Sequence, residues 1–382
     1  MMEINKLMPF KVLCGNCGNE VSRDQWRWRD DCGGALDIVL DFQRRKFTEL
    51  IDVKQQNIRR YAQLLPVEKL PPVHHGWTPI VKENIDGVEV NFKLEYLSLG
   101  GSFKDRGAYI SVAKAKELGL KGIIVDSSGN AGIGFSLMGL LSGIDVNVFI
   151  SKYAPAGKKN LLRLLQANVQ EVDGDRMDAN REAIKAETEG LAYVTQWWNP
   201  YFIEGVKTMA YEAYEQIGSV DYVIAPIGSG TILLGLYKGY EELVQLQALN
   251  KVPRFIGAQA CGYAGICEEL GATKKGITKS KLADGITETD QPRRRQIVDA
   301  IRTTDGHCVI VDDQEIKQSL VKLRKLGFIV EPTSAVPYVA LMVAFKQGFI
   351  KPGDKVLLPL TGSGLKLVDE LIEITDSRCE LR

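Results

Sequence analysis

The residue with the clearest chemical potential is Lys104, in a glycine-rich stretch at 100–107 that reads GGSFKDRG. This stretch follows a strand-like segment at 88–95 and precedes a helical pattern at 108–118. A lysine in such a tight turn can be held still and partly desolvated. Desolvation favours the neutral, nucleophilic amine, which is the form that builds a Schiff base. Lys104 is therefore predicted to be catalytic, against the alternative of a solvated lysine in an ordinary turn.

Three further glycine turns each follow an apolar segment that has the character of a buried strand. They read DSSGNAG at 126–132, PIGSGT at 226–231 and LTGSGLK at 360–366. Open α/β sheets bind their ligands beyond the carboxyl ends of the strands. The four turns are therefore predicted to contribute to a ligand site.

In this order, the four segments resemble those of the pyridoxal-phosphate enzymes of the tryptophan-synthase-β type, also called fold type II. Within that group they are most similar to the threonine synthase family. The resemblance runs from residue 76 to the end of the chain. It rests on GWTP at 76–79, SFKDRG at 102–107, SSGN at 127–130, NPYFIEGVKT at 199–208, EPTSA at 331–335 and TGSGLK at 361–366. Together these motifs indicate the cofactor, pyridoxal 5′-phosphate, more specifically than they indicate the substrate.

The resemblance implies which residues bind this cofactor. Lys104 would hold it as a Schiff base and, once released, would move protons as a general acid and base. Asn130 would hydrogen-bond the ring hydroxyl, although an asparagine at a helix start is also a common N-cap. Thr361 would face the ring nitrogen, against the alternative of a plain turn threonine. The cofactor phosphate would lie on the turn formed by Gly228, Ser229, Gly230 and Thr231.

The same resemblance implies a set of substrate contacts. The substrate carboxylate is expected to bind to hydroxyl and N–H groups of Ser127, Ser128 and Gly129. Ser102 is expected to be a further substrate contact. A phosphorylated substrate needs anion ligands beyond those of the cofactor. The candidates for these ligands are Asn199, Lys207 and Arg181. Of the three, Arg181 is more readily explained as a solvated arginine on a helix.

The activity implied by the threonine synthase resemblance is a lyase reaction that converts O-phospho-L-homoserine and water to L-threonine and phosphate. An alternative of the same class is β-elimination or β-replacement, as in serine or threonine dehydratases and cysteine synthase-like enzymes that use O-phosphoserine. A remote alternative is a non-catalytic, ligand-binding relative. The sequence departs from the family pattern at 97–100, at Trp197 and Trp198, and at Ser363. These departures keep the substrate open.

The elements that must position these residues alternate between apolar strands and helical patterns. Strands are predicted at 122–126, 146–151, 169–172, 222–226, 255–260, 308–311 and 355–359. Helical spacing is found between them at 158–167, 181–190 and 206–218. Such alternation predicts an α/β fold with two parallel-sheet domains, and the cofactor is expected in the cleft between them. The large domain is expected at 41–106 and 199–382, and the small domain at 107–198.

The first 40 residues are predicted to form a degenerate segment that is similar to a zinc ribbon. Cys14 and Cys17 form a CxxC pair, and Cys32 follows at a suitable distance. The position three residues before Cys32 holds Arg29, which cannot ligate a metal. Asp30 or Asp31 could substitute, but a carboxylate is a less usual ligand in a structural thiolate site. The sequence therefore predicts no metal, with the three cysteines as weak zinc candidates.

Composition excludes several other classes of protein. The 382 residues contain 48 basic and 48 acidic side chains, and this balance does not favour binding to nucleic acid or to an anionic membrane. No apolar run is long enough for a membrane span, and residues 1–11 do not resemble a secretory signal. Seven scattered cysteines predict no disulfide framework. The expected setting is the cytoplasm, and the family resemblance implies a homodimer with a small amino-acid substrate.

Overall fold

The computed structural model describes residues 7–274, 276 and 278–375. Within that range the chain forms two compact units. The first contains Met1–Trp77, Lys104–Met209 and Glu241–Asn250, and the second contains Thr78–Phe103, Ala210–Tyr240 and Lys251–Arg382, as far as they are described. Residues 1–6 and 376–382 lie outside the described residues. The expected domain ranges 1–40 and 199–382, and the stretch 1–11 that was considered as a secretory signal, are therefore described only in part. The expected domain boundaries stay a prediction.

The strands in chain order are β1 Phe10–Cys14, β2 Glu20–Val21, β3 Leu36–Leu40, β4 Ile80–Ile85, β5 Val88–Lys93, β6 Gly122–Val125, β7 Asp145–Ser151, β8 Asn168–Val172, β9 Leu191–Tyr193, β10 Tyr222–Pro226, β11 Arg254–Ala260, β12 His307–Val311 and β13 Lys355–Pro359. The α-helices are α1 Lys104–Glu117, α2 Asn130–Ser142, α3 Ala156–Leu164, α4 Arg176–Lys185, α5 Pro200–Ile217, α6 Thr231–Gln245, α7 Gly265–Glu269, α8 Arg294–Thr303, α9 Asp313–Lys325, α10 Pro332–Lys346 and α11 Val368–Thr375. The α/β fold class predicted from the sequence is confirmed, and so are all seven predicted strands.

The first unit contains two sheets. Strands β2, β1 and β3 form a small antiparallel sheet at the amino-terminal end, with β1 in the middle. A parallel sheet follows in the order β8-β7-β6-β9. Its strand β6 is the apolar run GIIV, which is buried throughout, as expected for an inner strand covered on both faces. The amino-terminal sheet agrees with the ribbon-like segment predicted for residues 1–40.

The second unit contains one six-stranded sheet in the order β12-β11-β10-β13-β5-β4. All neighbouring strands are parallel except β4, which pairs antiparallel with β5 at the edge. Helix α10 is apolar on every side and almost wholly buried, so it forms part of the core that covers this sheet. The sheet brings the carboxyl ends of β10, β13 and β5 next to one another.

Some local predictions were wrong. Helix α4 begins at Arg176 rather than at residue 181, because Asp175 and Asp178 form a capping box. The prolines at positions 66, 71 and 72 favour a surface linker at 65–75, but the side chains of Leu65, Val67 and His75 are buried. A disulfide between Cys267 and Cys308 was not anticipated.

In the portion of the chain that the structure describes, no helix is long and apolar enough to cross a membrane.

Candidate active site

Lys104 is the first residue of α1, directly after a segment that is fixed by backbone hydrogen bonds. The N–H of Phe103 donates to the carbonyl oxygen of Thr361 at 3.0 Å, and Ser102 forms an antiparallel bridge with Gly362. The Lys104 side chain is half-buried, and its Nζ lies 5.8 Å from the centroid of the Phe202 ring. The lysine therefore follows a hydrogen-bonded backbone segment and lies beside an aromatic ring.

The start of α2 lies close to the start of α1. A Cβ added at Gly134 would lie 3.0 Å from Asp105 Oδ1 and 3.4 Å from the carbonyl carbon of Lys104, so only glycine permits this approach without a shift. Asn130 is the first residue of α2, one position after the N-cap Gly129. The alternative role for Asn130, as the N-cap itself, is therefore wrong.

The loop before α2 is open enough to meet a ligand. Ser127, Ser128, Gly129 and Asn130 are all partly exposed. The N–H of Gly129 points at Ser127 Oγ over 3.3 Å, which orders the loop. In the first unit, the structure thus brings Lys104 and the loop 127–130 to neighbouring helix starts.

The predicted phosphate turn connects β10 to α6. Gly230 has φ +79°, a left-handed conformation that favours glycine, and Thr231 begins the helix. The hydroxyls of Ser229 and Thr231 are 3.3 Å apart and both residues are buried. Two hydroxyls at the positive end of a long helix form a suitable receptor for an anion. A Cβ added at Gly228 would lie 2.4 Å from Glu288 Oε2, so the carboxylate of Glu288 lies close to this glycine.

Thr361 follows β13, the strand next to β10 in the sheet. Val223 pairs with Leu357, so the chain segments after the two strands leave the sheet at the same edge. The Thr361 hydroxyl lies 2.8 Å from that of Ser334, and Ser334 Oγ also accepts the N–H of Gly362 at 2.8 Å. Thr361 therefore leaves the sheet at the same edge as the predicted phosphate turn, and its side chain is hydrogen-bonded to Ser334 of α10.

Ser334 is a residue that sequence reasoning missed. It lies in the EPTSA motif at 331–335, which was used for the resemblance but was given no role. Its side chain is fully buried and joins two segments that are 27 residues apart. The available signal was a pair of hydroxyl residues at the start of an otherwise apolar helix.

Ser102 presents a polar group that suits a ligand. Its residue is 1% exposed, and its hydroxyl has no hydrogen-bond partner among the described residues. A buried hydroxyl without a partner is unfavourable by about 1–3 kcal/mol. A bound ligand that accepts or donates a hydrogen bond here would remove this penalty.

The three candidates for a substrate phosphate are held by other groups. Asn199 is fully buried, donates to Ser111 Oγ at 2.7 Å and accepts the N–H of Tyr201 at the start of α5. Lys207 is fully buried and forms ion pairs with Glu204 at 2.6 Å and Glu242 at 2.9 Å. Arg181 is exposed and pairs with Asp178. These contacts give no support to the predicted phosphate-binding roles.

Burial also affects a tyrosine in the same stretch of sequence. It raises the pKa of the Tyr201 phenol above the usual value, so this side chain is neutral at physiological pH. The Tyr201 ring stacks on that of Trp26 with centroids 5.8 Å apart. The beginning of α5 is therefore a packing surface rather than a set of free ligands.

Lys104 lies half-buried at a helix start of the first unit. The second unit contains a turn with two buried hydroxyls and a hydrogen-bonded threonine hydroxyl. Residues 72–362 match the family model described as pyridoxal-phosphate dependent enzyme. The chain belongs to this family. Its cofactor is pyridoxal 5′-phosphate, and the enzyme is a lyase, so both predictions are confirmed.

Curated relatives confirm the resemblance to threonine synthases. The chain is 30% identical to the threonine synthase of Methanosarcina acetivorans, over 96% of this chain and 95% of that protein. It is also 30% identical to the threonine synthase of Methanocaldococcus jannaschii, over 95% of this chain and 94% of that protein.

Two solved structures illustrate the likeness in fold. Serine racemase from Dictyostelium discoideum is 25% identical with a TM-score of 0.63, over 76% of this chain and 93% of that one. Threonine deaminase isoform 2 from Solanum lycopersicum is 21% identical with a TM-score of 0.68, over 79% of this chain and 84% of that one.

Proposed function

We propose that this lyase converts O-phospho-L-homoserine and water to L-threonine and phosphate. The observation that carries the proposal is the extent of the likeness to threonine synthases, which runs through about 95% of both chains and includes the amino-terminal segment. The racemase and deaminase structures match only 76% and 79% of this chain.

We infer that Lys104, Asn130 and Thr361 hold the cofactor, with its phosphate on the turn at 228–231. The donors in these places suit the group: one lysine amine, an amide, and paired hydroxyls at a helix start. When bound, pyridoxal phosphate supplies an electron sink for charge that develops on the substrate. The fixed hydroxyl of Thr361 gives the ring nitrogen a neutral partner rather than a carboxylate, which favours elimination and replacement over transamination.

In this proposal Lys104 Nζ removes the proton from the α-carbon of the substrate. It then moves protons as the γ-phosphate leaves and as water adds at the β-carbon. Ser127, Ser128 and Gly129 bind the substrate carboxylate at the start of α2, where N–H groups and the helix dipole favour an anion. The buried hydroxyl of Ser102 contributes a further hydrogen bond to the substrate.

A second candidate function is β-elimination on serine or threonine. The specific observation in its favour is the ion pairing of Lys207 and Arg181, because a serine or threonine substrate needs no second anion site. A phosphorylated substrate, in contrast, needs additional charge-assisted hydrogen bonds.

The test measures both reactions with one preparation of the holoenzyme. We expect phosphate release from O-phospho-L-homoserine to exceed ammonia release from L-serine and L-threonine, with L-threonine as the amino-acid product. Free phosphate should inhibit competitively in the millimolar range, roughly what a few charge-assisted contacts give. Ready deamination of serine or threonine with no reaction of O-phospho-L-homoserine would establish the second candidate and overturn the first.

A further inference from the structure

The amino-terminal segment brings four metal-binding side chains to one point. Ligand atoms of Cys14, Cys17, Cys32 and Asp30 all lie within 4.8 Å of one another. The Sγ of Cys32 is 3.4 Å from that of Cys14 and 3.5 Å from that of Cys17. The Sγ of Cys17 is 3.3 Å from Asp30 Oδ2. The set is far from Lys104 in sequence and has no part in the proposed lyase reaction.

These separations are close to those of a tetrahedral zinc site. With a zinc–sulfur bond of about 2.3 Å, the tetrahedral edge between two thiolates is roughly 3.8 Å. With a zinc–oxygen bond of about 2.0 Å, the edge between a thiolate and a carboxylate oxygen is roughly 3.5 Å. The three separations given above are shorter than these edges by only a few tenths of an ångström, and the remaining ones are within 4.8 Å. A small expansion would therefore accommodate the ion.

The two turns that carry the ligands have similar backbone hydrogen bonds. In the first, the Cys14 N–H donates to the Asn19 carbonyl, and the Gly18 N–H donates to the Cys14 carbonyl. In the second, the Asp30 N–H donates to the Gly34 carbonyl, and the Gly33 N–H donates to the Asp30 carbonyl. Asp30 is therefore the counterpart of Cys14, and its carboxylate occupies the position of a fourth thiolate.

Glycines permit this arrangement. Gly18 and Gly33 each follow a cysteine and have φ of +73° and +82°, which L side chains rarely adopt. A Cβ at Gly34 would lie 2.5 Å from Cys14 Sγ, so the second turn can approach the first only with glycine at this position. Both turns are thus shaped so that their side chains converge.

From the sequence, Arg29 stands at the position three residues before Cys32, with Asp30 or Asp31 as possible substitute ligands; in the structure Asp30 lies beside the three cysteines. The guanidinium of Arg29 instead lies over the Trp28 ring, 4.4 Å from its centroid. Asp30 is buried, and its second oxygen, Oδ1, accepts a hydrogen bond from Asn19 Nδ2 at 3.0 Å. Hydrogen-bonded outer partners of this kind orient a ligating carboxylate. The other oxygen, Oδ2, faces Cys17 Sγ and also accepts the Cys32 N–H at 3.2 Å.

We propose that Cys14, Cys17, Cys32 and Asp30 bind one structural zinc ion. Four protein ligands close the coordination sphere, as in sites that stabilise a fold rather than perform catalysis. The metal fixes the two turns and therefore the segment between them. That segment carries Trp26, whose indole donates to the Tyr193 carbonyl at 3.0 Å, and Trp28, which packs edge-on against the Tyr193 ring. Zinc thereby secures the contact between the amino-terminal sheet and β9.

The first test is the metal content of the holoenzyme purified without chelators. We expect one zinc per chain by elemental analysis, with iron and other metals well below that ratio. Less than about a tenth of a zinc per chain, or a disulfide among the three cysteines in the freshly purified protein, would overturn the proposal. Mass spectrometry after alkylation distinguishes these states directly.

The second test compares three variants of neighbouring residues for zinc affinity against a chromogenic chelator. Asp30→Ala should weaken binding by more than the roughly 10- to 100-fold that loss of an outer partner causes. Asp30→Cys should retain one zinc per chain, and its cobalt-substituted form should show stronger thiolate charge-transfer absorption than the wild type. Asp31→Ala is the matched control, because the Asp31 carboxylate is exposed and pairs with Arg27. Unchanged affinity in Asp30→Ala would remove Asp30 from the site.

Discussion

Lys104 is positioned by residues that lie far from it in the sequence. The residue before it, Phe103, is hydrogen-bonded to Thr361, and the backbone that follows it contacts Gly134 of α2. The backbone on both sides of Lys104 is therefore fixed by contacts with segments that are distant in the sequence. Such preorganisation is what a covalently bound cofactor and a proton-moving lysine both require.

Replacing Lys104 with alanine should remove the covalent attachment of the cofactor. We expect Lys104→Ala to bind pyridoxal phosphate only non-covalently, to lose the absorbance of the lysine-bound form and to lose turnover. Borohydride reduction followed by peptide mapping should label Lys104 in the wild type and no residue in the variant. Lys121→Ala is the control, since Lys121 is exposed shortly after α1. Retention of the lysine-bound absorbance in Lys104→Ala would refute the assignment.

For single residues, a local sequence pattern indicates a candidate position more readily than the contacts of its side chain. Lys104, Asn130 and Thr361 stand out because glycine turns after apolar strands are visible in a short window. The pairing of Lys207 with Glu242 and the position of Ser334 beside Thr361 depend on residues 35 and 27 positions away. No local pattern encodes such contacts, and so Lys207 was expected to be free for a substrate. For the same reason, the sequence could not show which of Asp30 and Asp31 lies beside the three cysteines.

Among the elements, the first turn of α2 packs directly against the loop that precedes it. A Cβ at Gly132 would collide with the carbonyl oxygen of Ser127. The loop that ends in Asn130 therefore keeps its shape only while residue 132 has no side chain. In α3, by contrast, Gly157 has open space around it and an ordinary φ.

The two glycines should respond oppositely to alanine. Gly132→Ala should lower stability by about 1–3 kcal/mol through overpacking and should weaken cofactor binding, because the loop 127–130 must move. Gly157→Ala should raise stability by about 0.4–1 kcal/mol through the unfolded state and leave cofactor affinity unchanged. Thermal unfolding and absorbance titration with pyridoxal phosphate measure both effects. Equal effects of the two substitutions would show that the shape of the loop 127–130 does not require glycine at position 132.

The elements themselves were largely predictable because their signals are local. All seven strands predicted from apolar runs are present. Runs of about five apolar residues, such as β10, are too short for a typical helix and therefore favour a strand. The three-residue strand β9 was missed, since it is too short to show a pattern. Helix α4 was placed five residues late because Asp175 was not recognised as its cap.

For the molecule as a whole, a buried ion pair joins the sheet of the second unit to α5. Lys93 Nζ lies 2.9 Å from Glu212 Oε2, and both side chains are fully buried. The same ammonium donates to the Thr78 carbonyl at 2.6 Å and to Gln216 Oε1 at 2.9 Å. Three acceptors satisfy the three protons of the lysine, which is the condition under which a buried charge is tolerated.

Breaking this pair should destabilise the fold strongly. Lys93→Met should lower the free energy of unfolding by about 3–5 kcal/mol, because Glu212 is left as an uncompensated buried charge. The double variant Lys93→Met/Glu212→Leu should lose less than the single one. Lys185→Met is the control, since its pair with Glu182 is exposed and contributes less than about 1 kcal/mol. Urea denaturation measures all three, and a double variant less stable than Lys93→Met would contradict the argument.

Strand β13 is synthesised after all its neighbours in the six-stranded sheet. It is the last strand in the described part of the chain, yet it lies between β5 and β10. Until β13 has left the ribosome, the edges of β5 and β10 that pair with it in the folded sheet have no partner strand. Open strand edges pair readily with other chains. The interval before β13 emerges is therefore when the nascent polypeptide most needs protection by chaperones.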